Sequence, residues 1–461
     1  MAIRTRSEHP YGMGRLFWAP RELVDMADMA EKLTCQVSHF DGTVEDLRLW
    51  EVNDDFVGVP REWGLKNIIT PWDKVDDTCT FPLRTWPGME GKYRPGQAEA
   101  VRALVNYFQK KGYGCRLEAP CGSGKTLVAL AVAAGLGTRA VVLVHKEDLM
   151  EQWVGTANDF FPGAKVGIVQ GDLWDWEDKD VVIAMTQTLY SRRDFVNKSG
   201  FDTMFGLQIC DEGHRYPART FEQVLRMFFA RYRLAVSATW KRGDGMDEVW
   251  DWHIGPVGHV MCVDRMVGEW VRVPWKTKLE DAWFIEGGEV ARSTYINSIA
   301  AQPGFTTWLA GQAAKGAAAG RTVLVVSDRI KQLHAIDNEL AKMGSRWATG
   351  VYCRSWPKPD NPKERRTVSK KELEGAKTAP IILATYGMMS EGTDIPALDT
   401  LILATPRADV EQVVGRIQRP DGAKRPLLIV DPVFVTPYNE ALFGKRAAIY
   451  DKLGFSERKK K

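Results

Sequence analysis

From residue 94 onward, short apolar runs alternate with longer stretches of helical period. This alternation is typical of βαβ units, in which helices cover both faces of a parallel sheet. Most of the runs are apolar throughout, as expected of strands that are buried on both faces. The strands predicted in this first block are 115–119, 140–145, 165–170, 180–186, 207–210 and 233–237.

A second block with the same alternation follows. Its predicted strands are 322–327, 380–385, 400–404 and 426–430, and its predicted helices are 295–315, 329–343, 408–418 and 440–453. The segment 244–289 lies between the two blocks, contains clustered Trp, Gly and Val, and has no clear helical period. We therefore expect it to be a connection that includes short β structure.

The first 85 or so residues have a different pattern, with a predicted helix at 20–33 and short strands at 47–52 and 56–59. The whole pattern predicts an α/β protein with two tandem doubly wound parallel-sheet domains and a small N-terminal α+β domain. We expect the accessory domain at 1–88, the first sheet domain at 89–260, a connecting segment at 261–292 and the second sheet domain at 293–461.

Composition narrows the class of protein. A chain of 461 residues with 44% apolar and 26% charged side chains is an ordinary globular protein, which excludes disorder, collagen and coiled coil. Its apolar runs are shorter than the ~18 residues of a membrane span, and no leader opens the chain. Seven scattered cysteines without a CxxC pair predict neither a disulfide framework nor a zinc ribbon. We expect a cytoplasmic protein.

The net charge of +3 is unevenly distributed along the chain. Residues 1–90 hold 10 basic and 16 acidic side chains, a balance of −6, so the remainder carries +9. A basic surface for a partner is therefore expected downstream of residue 90. The acidic N-terminal domain could brace the neighbouring domain, dock a protein, or touch phosphate through a local patch of Arg4, Arg6, Arg15 and Arg21.

The segment 119–126 reads Ala-Pro-Cys-Gly-Ser-Gly-Lys-Thr and directly follows a predicted strand. It departs from the phosphate-loop pattern GxxxxGK[ST] only at its first position, so a chance Gly-rich turn is the weaker alternative. Lys125 would reach the β- and γ-phosphate oxygens, and Thr126 would supply a hydroxyl ligand to Mg²⁺. The small residues expected to surround the phosphate are Pro120, Cys121, Gly122, Ser123 and Gly124, and all of them except Pro120 have a backbone N–H that could bind it.

Two adjacent carboxylates, Asp211 and Glu212, stand at the end of the predicted strand 207–210. Asp211 could hold Mg²⁺ through water, and Glu212 could orient and deprotonate the attacking water. A solvated Asp-Glu turn is the structural alternative, which the upstream phosphate loop makes much less favourable. Together the two segments predict ATP hydrolysis.

Four segments stand in the order and approximate spacing of the motifs of superfamily 2 helicases. They contain Lys125, the Asp-Glu-Gly-His run 211–214, Ser-Ala-Thr at 237–239, and the run 412–419 that carries Gln412, Arg416 and Arg419. The chain resembles most the branch that contains XPB and the phage recombination helicase UvsW, on the additional runs 145–153, 242–245 and 385–396. This resemblance covers about residues 90–455 and implies two RecA-like domains.

The resemblance also implies roles for residues outside the phosphate loop. Gln97 would read adenine with Arg94 beside it, Gly392 and Asp394 would contact nucleotide, and Arg416 and Arg419 would act as arginine fingers that require domain closure. His214, Ser237 and Thr239 would couple hydrolysis to movement of the strand. The structural alternatives are a salt-bridged helix face for the two arginines and a capped turn for Ser237 and Thr239.

Nucleic-acid contacts follow from family positions alone. They are His145, Lys146, Gln152, Thr186, Gln187, Ser327, Arg329 and Thr385. A further basic stretch comprises Lys358, Lys363, Arg365, Arg366, Lys370 and Lys371, for which a solvated loop is at least an equal alternative. Trp72, Trp86 and Trp356 lie beside prolines and are the surface candidates for a wedge that separates strands.

These observations predict a monomeric, ATP- and Mg²⁺-dependent DNA helicase or branch-remodelling translocase of recombination, replication or repair. Its partner would be single-stranded, forked or branched DNA, with a possible protein partner at the acidic N-terminal domain. An RNA helicase and a duplex translocase that never separates strands are alternatives of the same class. An ATP-switched clamp that binds nucleic acid and acts through a partner is the alternative of another class.

Overall fold

The computed structural model describes residues 12–38, 44–68, 76–77, 83–110, 112–120, 122–212, 218–238, 240, 247–262, 266–286, 289–344, 348–390, 395–418 and 424–458. The chain forms two compact units, Met1–Val263 and Asp264–Lys461. Among the helices in these ranges, none has the length and apolar character needed to cross a membrane.

The N-terminal part of the first unit is a five-stranded sheet, in the order β5-β6-β2-β1-β7, with a separate β3–β4 hairpin. Its elements are β1 (Gly12–Met13), β2 (Phe17–Pro20), α1 (Met26–Lys32), β3 (Thr34–Ser38), β4 (Val44–Arg48), β5 (Glu51–Val52), β6 (Phe56–Val59), α2 (Arg61–Asn67) and β7 (Asp76–Asp77). The helix predicted at 20–33 begins only at Met26, because the Asp25 side chain caps it by accepting the N–H groups of Ala27 and Asp28. The strand predicted at 47–52 is divided between β4 and β5.

This N-terminal part packs directly on the rest of the first unit. The fully buried Arg61 donates to the carbonyls of Ala230 and Arg231, at 2.7 and 2.6 Å. Arg15 is ion-paired with Asp202 rather than presented to solvent, and Val249 joins the N-terminal hydrophobic core. Of the three roles left open for the acidic region, bracing of the neighbouring domain is the one that these contacts support.

An eight-stranded sheet forms the rest of the first unit, in the order β11-β10-β12-β9-β13-β14-β8-β15, and β11 is its only antiparallel strand. Its elements are α3 (Gln97–Lys110), β8 (Gly114–Glu118), α4 (Lys125–Leu136), β9 (Ala140–Val144), α5 (Glu147–Phe160), β10 (Val166–Gln170), β11 (Leu173–Asp175), β12 (Val181–Met185), α6 (Thr186–Ser191), α7 (Arg193–Ser199), β13 (Leu207–Asp211), α8 (Ala218–Leu225), β14 (Tyr232–Ser237), α9 (Asp247–His253) and β15 (Val257–Val260). The central strand β9 is buried at every position, as its unbroken apolar sequence predicts.

The second unit contains a seven-stranded, wholly parallel sheet in the order β20-β23-β19-β24-β25-β16-β26. Its elements are β16 (Gly268–Trp275), β17 (Ile285–Glu286), β18 (Glu289–Val290), α10 (Arg292–Ala300), α11 (Phe305–Ala318), β19 (Val323–Ser327), α12 (Ile330–Lys342), β20 (Thr349–Tyr352), β21 (Ser355–Pro357), β22 (Arg365–Thr367), α13 (Lys370–Ala376), β23 (Ile381–Thr385), α14 (Tyr386–Ser390), β24 (Thr400–Leu403), α15 (Glu411–Ile417), β25 (Leu427–Phe434), α16 (Pro437–Lys452) and β26 (Phe455–Glu457). The predicted fold class, α/β with two parallel-sheet domains, is confirmed.

Two predictions of local structure were wrong. The segment 244–289 is more than a connection, because it supplies α9 and β15 to the first unit and β16 to the second sheet, where β16 pairs with β25 over eight residues. The predicted helix 295–315 is two helices, α10 and α11. Pro303 cannot donate a helical hydrogen bond, and Gly304 has a φ of +74°, so the chain turns between them.

Candidate active site

The order of strands in the first sheet brings the predicted chemistry to one edge. β14 lies between β13 and β8, so the carboxyl ends of these three strands are neighbours. Asp211 closes β13, Ser237 closes β14, and the phosphate loop follows β8. Residues distant in sequence therefore meet where parallel α/β sheets bind their ligands.

The phosphate loop leads directly into α4, which begins at Lys125. Gly122 and Gly124 have φ angles of +79° and +80°, a backbone region that favours glycine. A Cβ atom at Gly124 would lie 2.2 Å from the Gln97 amide nitrogen. The loop therefore needs glycine at position 124 for both its conformation and its packing.

Gln97 stabilises the phosphate loop through hydrogen bonds. The buried side chain donates to the Ser123 carbonyl at 2.8 Å and accepts from the Arg94 N–H at 2.8 Å, while the Arg94 guanidinium donates to the Gly122 carbonyl at 3.3 Å. Both ends of the Gln97 amide are thus engaged within the protein. The structure shows a contact with the loop, and recognition of adenine by Gln97 stays a prediction.

Lys125 lies between the two predicted carboxylates. Its ammonium nitrogen is 3.7 Å from Asp211 Oδ1 and is ion-paired with Glu212. Glu212 has a φ of +47°, which a residue other than glycine adopts only at a cost of about 1–3 kcal/mol, and such strain is concentrated at functional sites. Burial raises the pKa of the Cys210 thiol, so the group beneath this acidic pair stays neutral.

Helix α5 contributes two side chains that the sequence analysis did not assign to this site. The buried Trp153 donates its indole N–H to Asp211 Oδ2 at 2.8 Å. Gln152, predicted to touch nucleic acid, instead donates to the Thr126 hydroxyl at 3.4 Å. The apolar neighbours of Trp153 in the sequence indicate a core position, and the ring is indeed buried. A buried indole N–H requires an acceptor, and that requirement is the signal that could have pointed to the site.

The oxygen atoms present suit Mg²⁺. Asp211 Oδ1 is buried and accepts no hydrogen bond from the described residues, and the Thr126 hydroxyl lies on the same loop-helix junction. The described residues contain no cluster of three or more His, Cys, Asp or Glu side chains that could hold a metal alone. Mg²⁺ at nucleotide sites takes one or two protein oxygens together with phosphate oxygens, so this set fits that ion.

Ser237 is fully buried, and its hydroxyl lies 3.5 Å from Glu212 Oε2. A serine at the tip of β14 therefore touches the predicted water-activating carboxylate. That contact is what a coupling residue would need, and the role itself stays a prediction.

Six predicted site residues lie outside the described ranges: Cys121, His214, Thr239, Gly392, Asp394 and Arg419.

In the second unit, Arg416 and Gln412 lie on α15. Arg416 is only 6% exposed and donates from Nε to the Met389 carbonyl of α14 at 2.9 Å, whereas Gln412 is half-buried on the first turn. Arg416 thus binds the segment that leads to the predicted nucleotide contacts at 392 and 394. The solvated, salt-bridged face considered for this arginine is wrong, because the side chain is buried.

The predicted nucleic-acid residues of the first unit divide into two places. Gln187 donates to the His145 carbonyl at 3.0 Å, and Thr186 donates to Gln187, so these three residues meet at the ends of β9 and β12 with Lys146 next to them. Gln152 lies apart, beside the phosphate loop. The structure therefore groups four of these five residues at one edge.

The predicted nucleic-acid residues of the second unit also meet at strand ends. Ser327 and Thr385 are paired in register at the tips of β19 and β23. Ser327 is fully buried, bonds Gln332, and accepts the backbone N–H of Arg329, so it positions its neighbours and cannot itself reach a strand. Arg329 and Thr385 line an open cavity.

The wedge hypothesis is wrong for two of its three tryptophans. Trp86 is 8% exposed and donates to the Thr138 carbonyl, and Trp356 is 7% exposed and packs edge-on against His334. Proximity to proline indicated loops, but both rings are buried beneath them. Trp72 lies outside the described residues.

Comparison with known proteins connects this geometry to a family. The family model described as "Type III restriction enzyme, res subunit" matches residues 90–242, which include the whole site of the first unit. The putative ATP-dependent RNA helicase L396 of Acanthamoeba polyphaga mimivirus is 27% identical over 414 residues, which cover 85% of this chain and 73% of the relative. The DNA 3'-5' translocase XPB2 of Sulfurisphaera tokodaii is 29% identical over 216 residues, which cover 46% of this chain and 44% of that protein.

The chain is a helicase of superfamily 2. Its similarity to an XPB translocase agrees with the XPB-like branch expected from its motifs, and membership of this superfamily implies that the helicase hydrolyses ATP. A structural neighbour, the DNA-bound ATP-dependent Type ISP restriction-modification enzyme LlaBIII, has a TM-score of 0.54 and 16% identity over 76% of this helicase and 28% of that enzyme. At that identity the likeness concerns the fold alone.

Proposed function

We propose that this helicase couples ATP hydrolysis to unwinding or branch remodelling of DNA in recombination, replication or repair. The observation that carries the proposal is the position of the Lys125 ammonium between Asp211 and Glu212, at adjacent strand ends of the first sheet. This arrangement combines a phosphate-binding cation, a metal-binding carboxylate and a candidate general base within one ion-paired group.

Each residue has a definite task in this proposal. Lys125 binds the β- and γ-phosphates, Thr126 and Asp211 hold Mg²⁺, and Glu212 accepts a proton from the attacking water. Bound Mg²⁺ would neutralise charge that develops on the phosphate oxygens. Trp153 keeps the Asp211 carboxylate oriented through its hydrogen bond to Oδ2. Arg416 and Arg419 of the second unit would add positive charge at the γ-phosphate.

DNA is preferred over RNA because the motif details are closer to the XPB-like branch, and because one relative is named as a DNA translocase. RNA is kept as the second candidate, since the mimivirus relative is named as an RNA helicase. A slow ATP-switched clamp is less favoured. Lys125 and Glu212 are both in place for turnover, which such a clamp would not need.

We also propose a role for each domain of the chain. We assign 1–88 to an accessory domain that braces the first helicase domain, on the strength of the buried Arg61 contacts. The first helicase domain, proposed at 89–260, would carry the nucleotide site. The second, proposed at 293–461 and extended by β16 of the same sheet, would carry the second strand-binding surface. Monomeric action and a protein partner at the acidic N-terminal region are further proposals.

Steady-state ATP hydrolysis tests the function. Wild type and Lys125→Ala would be assayed without nucleic acid and with single-stranded, duplex, forked and four-way DNA or RNA, at two salt concentrations because phosphate contacts weaken steeply with salt. The matched control is Lys198→Ala, which removes an exposed lysine on α7. We expect stimulation by DNA, greatest with branched substrates, in wild type and control but not in Lys125→Ala.

Other results would replace the proposal. Stimulation by RNA alone would transfer the function to RNA, and stimulation by duplex without strand separation would indicate a translocase. Hydrolysis that no nucleic acid stimulates would favour the partner-dependent clamp. Single-turnover hydrolysis by Glu212→Gln would then separate binding of ATP from its cleavage.

A further inference from the structure

An open cavity of about 660 Å³ lies on the second unit, beside the ends of β19 and β23. Its wall combines α10, the start of α11, the first turns of α12, and the β21–β22 hairpin, which is separate from the seven-stranded sheet. The lining residues are Asn297, Ala300, Ala301, Thr306, Asp328, Arg329, Ile330, Lys331, Gln332, Ala335, Arg365 and Thr385. Among the described residues, the lining contains small, polar and charged side chains and one isoleucine, and no aromatic ring.

Three cations meet in this cavity: Arg329, Lys331 and Arg365. Arg329 is held only by neutral acceptors, with Nε on Asn297 Oδ1 at 2.6 Å and Nη2 on the Ser293 hydroxyl at 2.8 Å, so its charge is oriented without being neutralised. Lys331 is exposed and has no carboxylate within ion-pair distance among the described residues.

Asp328, the one carboxylate that the described part of the lining contains, does not cancel this charge. Asp328 is paired with Arg292 at 3.2 Å and lies 3.8 Å from Arg407, and neither arginine lines the cavity. The cavity therefore has a net positive charge. An anion that enters it would find cations whose charge is not already neutralised by carboxylates.

The β21–β22 hairpin places Arg365 in the wall. Trp356 fixes the hairpin, because its ring is buried against His334 of α12. Register pairs Pro357 with Arg365 and Trp356 with Arg366, so the two arginines lie on opposite sides of the strand. Trp356 is buried on one side of the hairpin, and Arg366 lies on that same side. Arg365 lies on the other side, is exposed, and lines the cavity.

The basic stretch of the hairpin is thus divided by its ion pairs. Lys358 is paired with Glu364 at 2.5 Å, and Arg366 is paired with Glu372 at 2.7 Å, so these two cations are compensated within the protein. The Arg365 side chain has neither an ion pair nor a hydrogen bond to any described residue. The solvated-loop alternative holds for Lys358 and Arg366 but does not account for Arg365.

We propose that Arg365, together with Arg329 and Lys331, binds the phosphodiester backbone of a nucleic-acid strand, and that the β21–β22 hairpin is a strand-binding element. This inference rests on the proposed function. Unpaired cations beside the Asn297 amide and the Thr385 hydroxyl suit phosphate oxygens. Recognition of bases is disfavoured, because base stacking requires aromatic faces and the lining has none.

Equilibrium binding of a fluorescent oligothymidine and a fluorescent mixed-sequence strand would test the inference. Arg365→Ala is compared with Arg366→Ala. The control also removes one arginine charge, at the next residue, but its side chain is already paired with Glu372. Binding is measured by anisotropy at several salt concentrations, and thermal melting reports folding. Arg365→Lys and Arg365→Glu complete the series by retaining and reversing the charge.

We expect Arg365→Ala to weaken binding about 5- to 10-fold at low salt and to reduce the slope of log K against log salt by about 0.7, the value for one lost contact with a single strand. Arg366→Ala should change affinity less than about twofold, Arg365→Lys should recover most of the affinity, and Arg365→Glu should bind more weakly than Arg365→Ala. Both strands should respond equally, since the contact is with phosphate.

Equal behaviour of Arg365→Ala and Arg366→Ala, with wild-type hydrolysis still stimulated by DNA, would overturn this inference alone. Wild-type hydrolysis that DNA does not stimulate would instead overturn the proposed function. A loss of binding in Arg365→Ala for only one of the two sequences would contradict backbone contact, because it would indicate recognition of bases.

Discussion

The indole N–H of Trp153 donates a 2.8 Å hydrogen bond to Asp211 Oδ2, across 58 residues of sequence. Asp211 is 1% exposed, and its second oxygen lies 3.7 Å from the Lys125 ammonium. Helix α5 therefore orients the carboxylate that we assign to Mg²⁺. The tryptophan does not touch the reacting atoms and acts as a positioning residue.

Trp153→Phe should reduce ATP hydrolysis about 10- to 100-fold and weaken the dependence on Mg²⁺, because partners that orient metal ligands typically contribute that much. The measurement is a Mg²⁺ titration of the hydrolysis rate. Trp86→Phe is the matched control, since it also removes a buried indole hydrogen bond, in that case to the Thr138 carbonyl. Equal losses in both variants, with equal losses of stability, would show that Trp153 has only a packing role.

Gly124→Ala should abolish tight nucleotide binding, with an affinity loss of at least about tenfold, or about 1.4 kcal/mol. The new Cβ atom would meet the Gln97 amide at 2.2 Å in a backbone conformation with a φ of +80°. Titration with a fluorescent adenine nucleotide measures the effect. Gly155→Ala on α5 is the control, because no atom lies within 4 Å of its added Cβ. Unchanged affinity in Gly124→Ala would contradict the proposed fit of the loop.

Glu62 should make stability depend on pH. Burial raises its pKa to about 7, although Arg61 and Arg233 lower it. The folded protein therefore binds more protons than the unfolded chain between about pH 4.5 and 7, so the free energy of unfolding decreases as pH rises through that window.

Glu62→Gln cannot ionise and should be more stable than wild type at pH 8, by about 1–3 kcal/mol, with the difference vanishing below about pH 4. Thermal or urea melting across this range measures it. Glu99→Gln, which changes an exposed glutamate of α3, is the control. A variant that is less stable than wild type at pH 8 would mean that ion pairing of Glu62 outweighs its burial.

Arg61→Met should loosen the N-terminal region, because it removes two hydrogen bonds and leaves the Ala230 and Arg231 carbonyls without this donor. The expected cost is about 2–4 kcal/mol. Limited proteolysis should then release the N-terminal region faster than in wild type. Arg21→Met, at an exposed position, should behave like wild type. Unchanged proteolysis in Arg61→Met would argue against the bracing role.

The sequence by itself determined the central strands and the nucleotide chemistry. The central strands, such as β9, are apolar at successive positions. The loop 119–126 and the pair Asp211 and Glu212 are each formed by consecutive residues and can be recognised from the sequence alone. Local composition is sufficient there because a strand buried on both faces must be apolar throughout. By contrast, β15 has exposed residues at both ends and β16 is mostly half-buried, so neither produces a recognisable pattern.

Only the tertiary structure decided which side chains meet. Trp153 and Gln152 reach the phosphate site because α5 packs against α4 and against β9, the neighbour of β13, and no local pattern contains this information. Likewise, the stretch from Lys358 to Lys371 reads as basic on balance, and the strand register of one hairpin separates the paired Arg366 from the unpaired Arg365. Two side chains interact only when the fold brings them close in space. The sequence determines that proximity through the complete fold and not through any local pattern.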